Sequence, residues 1–445
     1  MRRTGLVSVG AISVALFSAT AHGAAFGLKE HSADAMSAAY AGAAASESDA
    51  SYLVYNPATL AGVNDFDLSA SAIEALPGAK ASYAIATTSL GTPTGGSTRA
   101  SGYISDATVP AFGLRQRLSD RWAIGISVNI PWAVRTDYPR DWAGRYYAQK
   151  SELFTINATP VASYQVTPDL SLGAGLQIEY AQGALTSVID TGTIGALNSI
   201  PGSVPGGQDS FARLSGSGWA IGYDIGIVDR VGAVTVGVAY RSSLQHHLDG
   251  PLKFTLDSAG IAATIRSLTG LFTDSKQSTP VTTPDMITSG ARVEISDRWT
   301  ALAELDWTDW SRVREIRVRA INSVQPDEVT TLNWKNAFFA SLGAEFRVSS
   351  LWTLRAGVGF DQTPVTDLNR EPRFPDGDRV WLSAGLRYRA TDNLDVDIAA
   401  AHVFFPQSTV ALSPAIAGAA LRGSLAGTTQ AYANVVGLQF SYHGY

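Results

Sequence analysis

The sequence predicts an all-β protein, a transmembrane antiparallel β-barrel, and three features support this prediction. Several segments of about nine to eleven residues alternate between apolar and small or polar side chains. Short polar turns precede many of these segments. Charged residues make up only 16% of the 445 residues, while glycine (42) and tryptophan (10) are frequent. A soluble domain carries about 25% charged residues, so this composition favours a wall between lipid and a crowded lumen.

The clearest alternation runs from Leu170 to Tyr180, where every second residue is apolar. A strand sends these residues to one face and the intervening Gly, Ser, Gln and Glu to the other. The pattern recurs at 122–129, 352–361 and 382–389. A soluble sandwich would carry many Lys and Glu residues on its second face. The small residues found here fit a lumen better, and no mature segment is long and apolar enough for a membrane helix.

Polar turns recur in front of the strands. The four residues Ser119–Trp122 are identical to Ser296–Trp299, and related turns occupy 167–170, 349–352 and 391–394. Ser, Asp, Asn and Pro favour tight turns. We predict that these turns lie on the periplasmic side, with tryptophans at the membrane interface and long loops on the other side.

Two long loops are predicted at 186–215 and 251–284. The second contains apolar residues at helical spacing: Ile261, Ile265, Leu268, Leu271 and Phe272. A short helix would carry them on one face. That face either packs on the barrel rim or serves as an extracellular landing site for a hydrophobic ligand, and the two are compatible.

The first residues predict export. Arg2 and Arg3 precede an apolar run from Leu6 to Phe17, followed by small residues. This order is typical of a secretory signal peptide, which we place at residues 1–24, with cleavage after Gly23 or Ala24. A short transmembrane anchor is the alternative, but the run is too short to span. Residues 25–64 do not alternate, so they predict a plug in the lumen or a disordered tail. The barrel is expected at 65–445.

Catalysis, metal binding and nucleic-acid binding find no support. The sequence contains no Gly-x-Ser-x-Gly motif, no cysteine and only six histidines. His246 and His247 begin a predicted loop and, as neighbours in an extended chain, would point to opposite faces. The net charge is −6, with no basic stripe. We therefore expect a non-enzyme without a cofactor or a metal.

Several motifs resemble, in order and spacing, those of the FadL/TodX family of outer-membrane transporters. They are Phe26–Glu30, Ala39–Gly42, Tyr55–Ala58, Asp141–Tyr146, Trp307–Ser311 and Asp361–Val365 with its continuation to Ser383. The resemblance extends from Phe26 to the C-terminus. It implies a barrel of about 14 strands in the outer membrane, with an N-terminal hatch whose motif here is Asn56, Pro57 and Ala58.

The resemblance also implies passive uptake of long-chain fatty acids or aromatic hydrocarbons. In such transporters the ligand leaves sideways into the membrane through a kink in the third strand, which here matches Asn129, Pro131 and Trp132. The residues themselves agree, because Pro131 ends an alternating segment and cannot donate to the ladder. The simpler interpretation is that Pro131 only ends the strand at a loop.

The resemblance implies that basic residues hold a carboxylate headgroup, and the candidates are Arg317 and Arg145. A base expected just beyond the strand 170–180 is missing, because 181–187 contains none. Arg317 could instead belong to a charge network in the lumen. A fatty acid is therefore the favoured substrate, while neutral aromatic hydrocarbons and a general diffusion porin stay open.

Few partners are expected beyond a hydrophobic small molecule. The chain ends on an aromatic residue, Tyr445, as outer-membrane barrels usually do. We expect the barrel-assembly machinery to insert the protein as a monomer among outer-membrane lipids.

Overall fold

The computed structural model describes residues 25–60, 65–416 and 418–444. The predicted signal peptide and both of its cleavage sites therefore lie outside the described residues, as do 61–64 and Tyr445. Within the described part, no helix is long and apolar enough to cross a membrane.

Twenty antiparallel strand segments form one closed sheet. They are β1 Phe66–Thr87, β2 Arg99–Ser101, β3 Ala107–Arg117, β4 Trp122–Asn129, β5 Ala133–Asp137, β6 Lys150–Gln165, β7 Leu170–Asp190, β8 Asp209–Val231, β9 Val234–Arg241, β10 Gln245–Thr255, β11 Ser275–Thr282, β12 Met286–Glu294, β13 Trp299–Thr308, β14 Glu315–Ile321, β15 Glu328–Thr331, β16 Ala337–Arg347, β17 Trp352–Asp361, β18 Arg379–Thr391, β19 Leu394–Leu412 and β20 Ser424–Gly444. β1 pairs with β20 along its whole length, which closes the barrel.

Six pairs of consecutive segments continue each other across a break, so the barrel has 14 spanning strands. The interrupted strands are β2/β3, β4/β5, β9/β10, β11/β12, β13/β14 and β15/β16. Closure lets the long ladders be satisfied without water, whereas β2, β5 and β15 each form a ladder along one side only among the described residues. The predicted all-β antiparallel barrel of about 14 strands is confirmed.

The predicted alternation places apolar side chains on the outside. On β7, Leu172 and Leu176 are 44% and 47% exposed, whereas Gln177 and Glu179 are almost fully buried. At one end of the barrel Trp122, Trp299 and Trp352 are exposed and contact Tyr164, Phe346 and Tyr388 on neighbouring strands. This arrangement is typical of an aromatic girdle around a lipid-facing wall.

The predicted tight turns lie at that same end. The amide of Leu118 donates to the carbonyl of Trp122 at 2.8 Å, and Ile295 and Val348 donate to Trp299 and Trp352 in the same way. The long loops leave from the opposite end. There, two helices, α1 Thr191–Leu197 and α2 Ile261–Thr269, pack against each other. A helix is thus confirmed in the predicted loop, with Ile261 and Ile265 buried, but Leu268 is 73% exposed and Leu271 and Phe272 lie beyond the helix end at Thr269.

Residues 25–60 are buried almost throughout and pack against inward-facing side chains of the barrel. They contain a helix, Ala33–Ser37, and 3-10 turns at Ala43–Ala45, Ala50–Val54 and Pro57–Leu60. Further 3-10 turns lie at Trp310–Arg312 and Asp367–Asn369. Met36 and Tyr40 pack with Ile73, Trp381 and Val435 of the wall.

A buried ion cluster fastens the same segment to the barrel. Arg387 donates to Asp49 at 2.7 Å and to Asp34 at 3.0 Å, and Arg355 also pairs with Asp34. Asp397 of β19 accepts from Arg387 at 2.8 Å. Removing one partner of such a buried cluster would leave an uncompensated charge, which is strongly destabilising.

Candidate functional site

Two cavities lie inside the barrel. The outer cavity, about 210 Å³, is lined by parts of β7, β8 and β11 near the long loops. The inner cavity, about 80 Å³, lies nearer the tight turns, between the N-terminal segment and the wall.

Charge is distributed differently in the two cavities. Basic groups outnumber acidic ones in the outer cavity, whereas acidic groups outnumber basic ones in the inner cavity. The outer set is Arg312, Arg317 and Arg319 with Glu152 and Glu315, and the inner set is Lys29 and Arg241 with Asp224, Asp306 and Asp361. A carboxylate is therefore better stabilised in the outer cavity.

The structure brings one of the two predicted headgroup residues to a cavity. Arg317 lines the outer cavity and forms ion pairs with Glu315 at 2.7 Å and Asp327 at 3.2 Å. Arg145 is buried beneath the loops, where it donates to Asp209 at 2.6 Å and to the carbonyl of Thr94 at 2.8 Å. It lines neither the outer nor the inner cavity.

A base that the sequence did not predict stands beside the base-free segment 181–187. Arg373, from the loop after β17, donates to the hydroxyls of Ser187 at 2.9 Å and Ser151 at 3.0 Å. It is only 2% exposed. Ser151 itself lines the outer cavity. No local sequence signal connects Arg373 with Ser187, because only the folding of a distant loop brings them together.

Five aromatic rings separate the two cavities. Phe26 lies at their centre, with its ring centroid 4.9 Å from Trp310, 5.6 Å from Trp334, 5.7 Å from Trp132 and 6.4 Å from Phe374. Phe26 and Phe374 line the outer cavity, and Trp132 and Trp310 line the inner one. The rings thus form a septum across the passage.

The predicted strand gap lies beside this septum. β4 ends at Asn129 opposite Asn157, and β5 begins at Ala133 opposite Phe154. Three residues, 130–132, therefore oppose only two on β6, so the interrupted strand carries one extra residue at the break. Pro131 and Trp132 line the inner cavity.

The N-terminal segment fills the hydrogen-bonding positions that the break leaves open. The amide of Leu28 donates to the carbonyl of Pro131 at 2.8 Å, and the amide of Ala133 donates to the carbonyl of Phe26 at 2.9 Å. Gly27 forms an isolated antiparallel bridge with Trp132. Phe26 thus takes part in both the septum and the seal of the gap.

The hatch motif is a buried turn that touches the wall. The Asn56 amide nitrogen donates to the carbonyls of Ala44 at 2.7 Å and Ile227 at 3.1 Å, while its oxygen accepts from the amide of Ala58 at 2.9 Å. Pro57 lines the inner cavity. The motif therefore holds the segment together and docks it on β8.

Lys29 and His31 of the segment both line the inner cavity. Burial opposes the charge of Lys29, but Asp306 and Asp361 outweigh it and raise the pKa of the ammonium. The Lys29 ammonium pairs with Asp306 and lies 4.0 Å from the Phe339 ring centre. Burial, assisted by Arg241, lowers the pKa of His31 to about 3, so its imidazole is neutral at physiological pH.

The structure also locates the histidine pair His246–His247. Residues 25–60, 65–416 and 418–444 contain no group of three or more metal-binding side chains. The pair His246–His247 lies within β10, which corrects the expectation that it begins a loop. His246 is buried against Glu179 at 3.0 Å and His247 points outward, as alternation requires.

Comparison with known proteins identifies relatives over nearly the whole chain. The model of the family "Outer membrane protein transport protein (OMPP1/FadL/TodX)" matches residues 14–443. An outer-membrane protein of Neisseria meningitidis serogroup B is 28% identical, with 97% of each chain covered. A long-chain fatty acid transport protein of Escherichia coli O6:H1 is 26% identical, covering 88% of this chain and 90% of the relative.

Solved structures show the same fold. A FadL homologue from Pseudomonas aeruginosa superposes with a TM-score of 0.86 at 24% identity, over 95% of this chain and all of the other. The toluene transporter TodX of Pseudomonas putida gives a TM-score of 0.67 at 16% identity, with coverages of 95% and 100%.

Proposed function

The chain belongs to the OMPP1/FadL/TodX family and is an outer-membrane β-barrel, and on that premise we propose that it takes up long-chain fatty acids or similar hydrophobic molecules passively. The family is one of transport proteins rather than enzymes. One relative is named a long-chain fatty acid transport protein, and one solved structure with the same fold is a toluene transporter. The barrel-assembly machinery inserts the mature protein, which works as a monomer among lipids.

Residues 25–64 form the hatch of this transporter, after removal of the signal peptide 1–24, and 65–445 form the barrel. Close backbone contacts support this assignment. A Cβ at Gly226 would lie 1.9 Å from the Asn56 side-chain oxygen, and one at Gly357 would lie 2.1 Å from the carbonyl of Ala38. Only glycine allows the segment to approach the wall so closely.

Capture begins outside the barrel and ends in the outer cavity. Exposed Leu268 and Leu197 on the loop helices offer an apolar landing site. In the outer cavity, Arg317 pairs with the carboxylates of Glu315 and Asp327. The carboxylate of the ligand replaces them, so that one charge-assisted contact is exchanged for another. The acidic inner cavity disfavours the carboxylate, so the headgroup stays outward while the tail reaches the septum.

The ligand leaves through the gap at Asn129, Pro131 and Trp132. The observation that carries this proposal is the pair of backbone hydrogen bonds that Phe26 and Leu28 make to Ala133 and Pro131. The extra residue interrupts the strand permanently. Residues 26–28, which cover the interruption, form a short segment that can be displaced. When residues 26–28 move, the inner cavity opens sideways to the lipid, and no energy source is required.

A neutral aromatic hydrocarbon is the second candidate substrate. It is favoured by the acid partners of Arg312, Arg317 and Arg319, because each of these three bases of the outer cavity is already ion-paired. Native mass spectrometry of protein purified from the outer membrane tests the substrate class directly. Bound fatty acid supports the first candidate, whereas a protein that releases only neutral aromatic compounds supports the second. Binding of neither class after incubation with both would contradict uptake of hydrophobic molecules.

A further inference from the structure

The outer surface of the barrel carries three basic side chains on three adjacent strands, near the end from which the long loops leave. They are Arg213 of β8, Lys253 of β10 and Lys276 of β11, here called the basic row, and all three are exposed. Side chains of neighbouring residues on a strand point to opposite faces. Buried residues next to them in the sequence are Ala212, Leu252 and Gln277. The basic row therefore points away from the lumen.

Two members of the basic row face each other directly. Arg213 and Lys253 are partners in the ladder between β8 and β10. Like charges at directly opposite positions destabilise a sheet, because the Cβ atoms are only about 4.5–5.5 Å apart. Lys276 pairs with Pro251, two residues before Lys253, and is thus a diagonal neighbour of Lys253. Positive charge is concentrated here, although the chain as a whole has a net charge of −6.

Nearby carboxylates do not neutralise the basic row. The Lys253 ammonium lies 3.8 Å from the carboxylate of Asp274, and the two side chains are 68% and 52% exposed. Asp274 also accepts a hydrogen bond from a backbone amide at 2.8 Å. Arg213 and Lys276 form no ion pair with any residue in the described part of the chain. With Asp249 as the second exposed carboxylate on this part of the wall, three bases stand against two acids.

The height of the basic row indicates which anion can reach it. Tyr180 lies ten residues beyond the turn-side start of β7 at Leu170, and its ring packs on exposed Trp219 of β8 at 5.1 Å. At the usual strand tilt this distance spans roughly 25 Å of height, the thickness of the apolar band of an outer-membrane barrel. Arg213 lies six residues farther from the tight turns than Trp219, or roughly 15 Å higher. The basic row is therefore level with the headgroups outside the apolar band.

We propose that the basic row binds phosphate groups of a lipopolysaccharide molecule in the outer leaflet. This glycolipid carries phosphates on its headgroup sugars. Arginine binds phosphate through two parallel hydrogen bonds, and lysine binds it as a point charge. A phosphate between Arg213 and Lys253 replaces their mutual repulsion with two attractive contacts. Inner faces of the same strands line the outer cavity through Leu214 and Leu248, so the glycolipid supports the wall of that cavity from outside.

The test titrates the full barrel, purified in detergent without lipopolysaccharide, with rough lipopolysaccharide and follows binding by native mass spectrometry. The double variant Arg213→Gln with Lys253→Gln removes the opposed pair and should bind about tenfold more weakly. Arg121→Gln with Arg298→Gln is the matched control, because it removes two exposed arginines at the tight-turn end. This control should bind like the wild type.

Melting temperatures give a second readout. Added lipopolysaccharide should raise the melting temperature of the wild type, because a ligand that binds only the folded state stabilises it. Without lipopolysaccharide, the Arg213 and Lys253 double variant should melt no lower than the wild type, since the opposed charges are gone. If that variant does not fold, Lys276→Gln alone gives the same comparison, with an expected loss of affinity of about threefold.

Two further ligands separate the glycolipid from a free anion. Lipopolysaccharide stripped of its phosphates should bind the wild type about tenfold more weakly than the intact molecule. Inorganic phosphate alone should leave the melting temperature unchanged. Equal affinity of the two double variants for lipopolysaccharide would overturn the proposal, as would equal affinity of the wild type for the intact and stripped forms. Equal stabilisation by inorganic phosphate and by lipopolysaccharide would reveal a free-anion site and overturn it as well.

Discussion

Arg317 and Arg145, the two candidate headgroup residues, lie in different surroundings. Arg317 lines the outer cavity, where its two acidic partners are half-exposed. Arg145 makes its hydrogen bonds to loop groups and ties Asp209 to Thr94. A residue that faces a cavity can exchange its partners for a ligand, whereas one whose donors all hold loops together stabilises the structure.

We predict that Arg317→Gln weakens binding of palmitate about tenfold, because the variant loses a charge-assisted hydrogen bond to the carboxylate. Binding of a neutral hydrocarbon of similar size should not change. Arg145→Gln serves as the matched control, with unchanged affinity and a lower melting temperature. Equal losses for the acid and the hydrocarbon would show that Arg317 has no role in headgroup recognition.

The residues that sequence reasoning missed share one physical property. Arg373 and Ser187 meet across a loop, and Phe26 meets the break at Pro131 from the far end of the chain. The alternation of apolar with small or polar residues indicates which face of the sheet a residue occupies. It does not indicate which residues of different strands meet in the lumen. The strands, the tight turns and the break at Pro131 could be predicted because each depends on residues that are neighbours in the sequence. Contacts in the lumen join distant residues, which meet only when the sheet closes into a barrel.

At the level of elements, inward-facing glycines decide how closely the N-terminal segment approaches the strands. We predict that Gly226→Val displaces the Asn56 turn, since its Cβ would lie 1.9 Å from the Asn56 oxygen. Overpacking of this kind costs about 1–3 kcal/mol. Hydrogen exchange at residues 44–60 should become markedly faster.

Ile225→Val on the same strand is the control, because Ile225 is 50% exposed on the outer face. It should leave exchange at residues 44–60 unchanged. Similar exchange in Gly226→Val and the wild type would mean that the segment does not depend on contact with β8.

For the whole molecule, the packed N-terminal segment and the aromatic septum together predict a barrel that does not conduct ions. The segment is anchored by the buried cluster of Arg387, Arg355, Asp34 and Asp49, so thermal opening of the whole lumen should be rare. We predict that the wild-type protein in planar bilayers shows no large, steady currents. Persistent open-channel conductance would instead support the general porin alternative.

The central claim is that hydrophobic ligands leave sideways through the break between β4 and β5. Three residues there oppose two on β6, so deletion of Pro131 alone restores continuous register with Asn157 and Phe154. Pro131→Ala removes the proline but keeps the extra residue and the gap. The measurement is uptake of radiolabelled palmitate by cells that carry each variant, alongside palmitate binding by the purified proteins. We predict that the deletion abolishes uptake while binding persists, and that Pro131→Ala retains both. Undiminished uptake by the deletion variant would contradict lateral exit at this site.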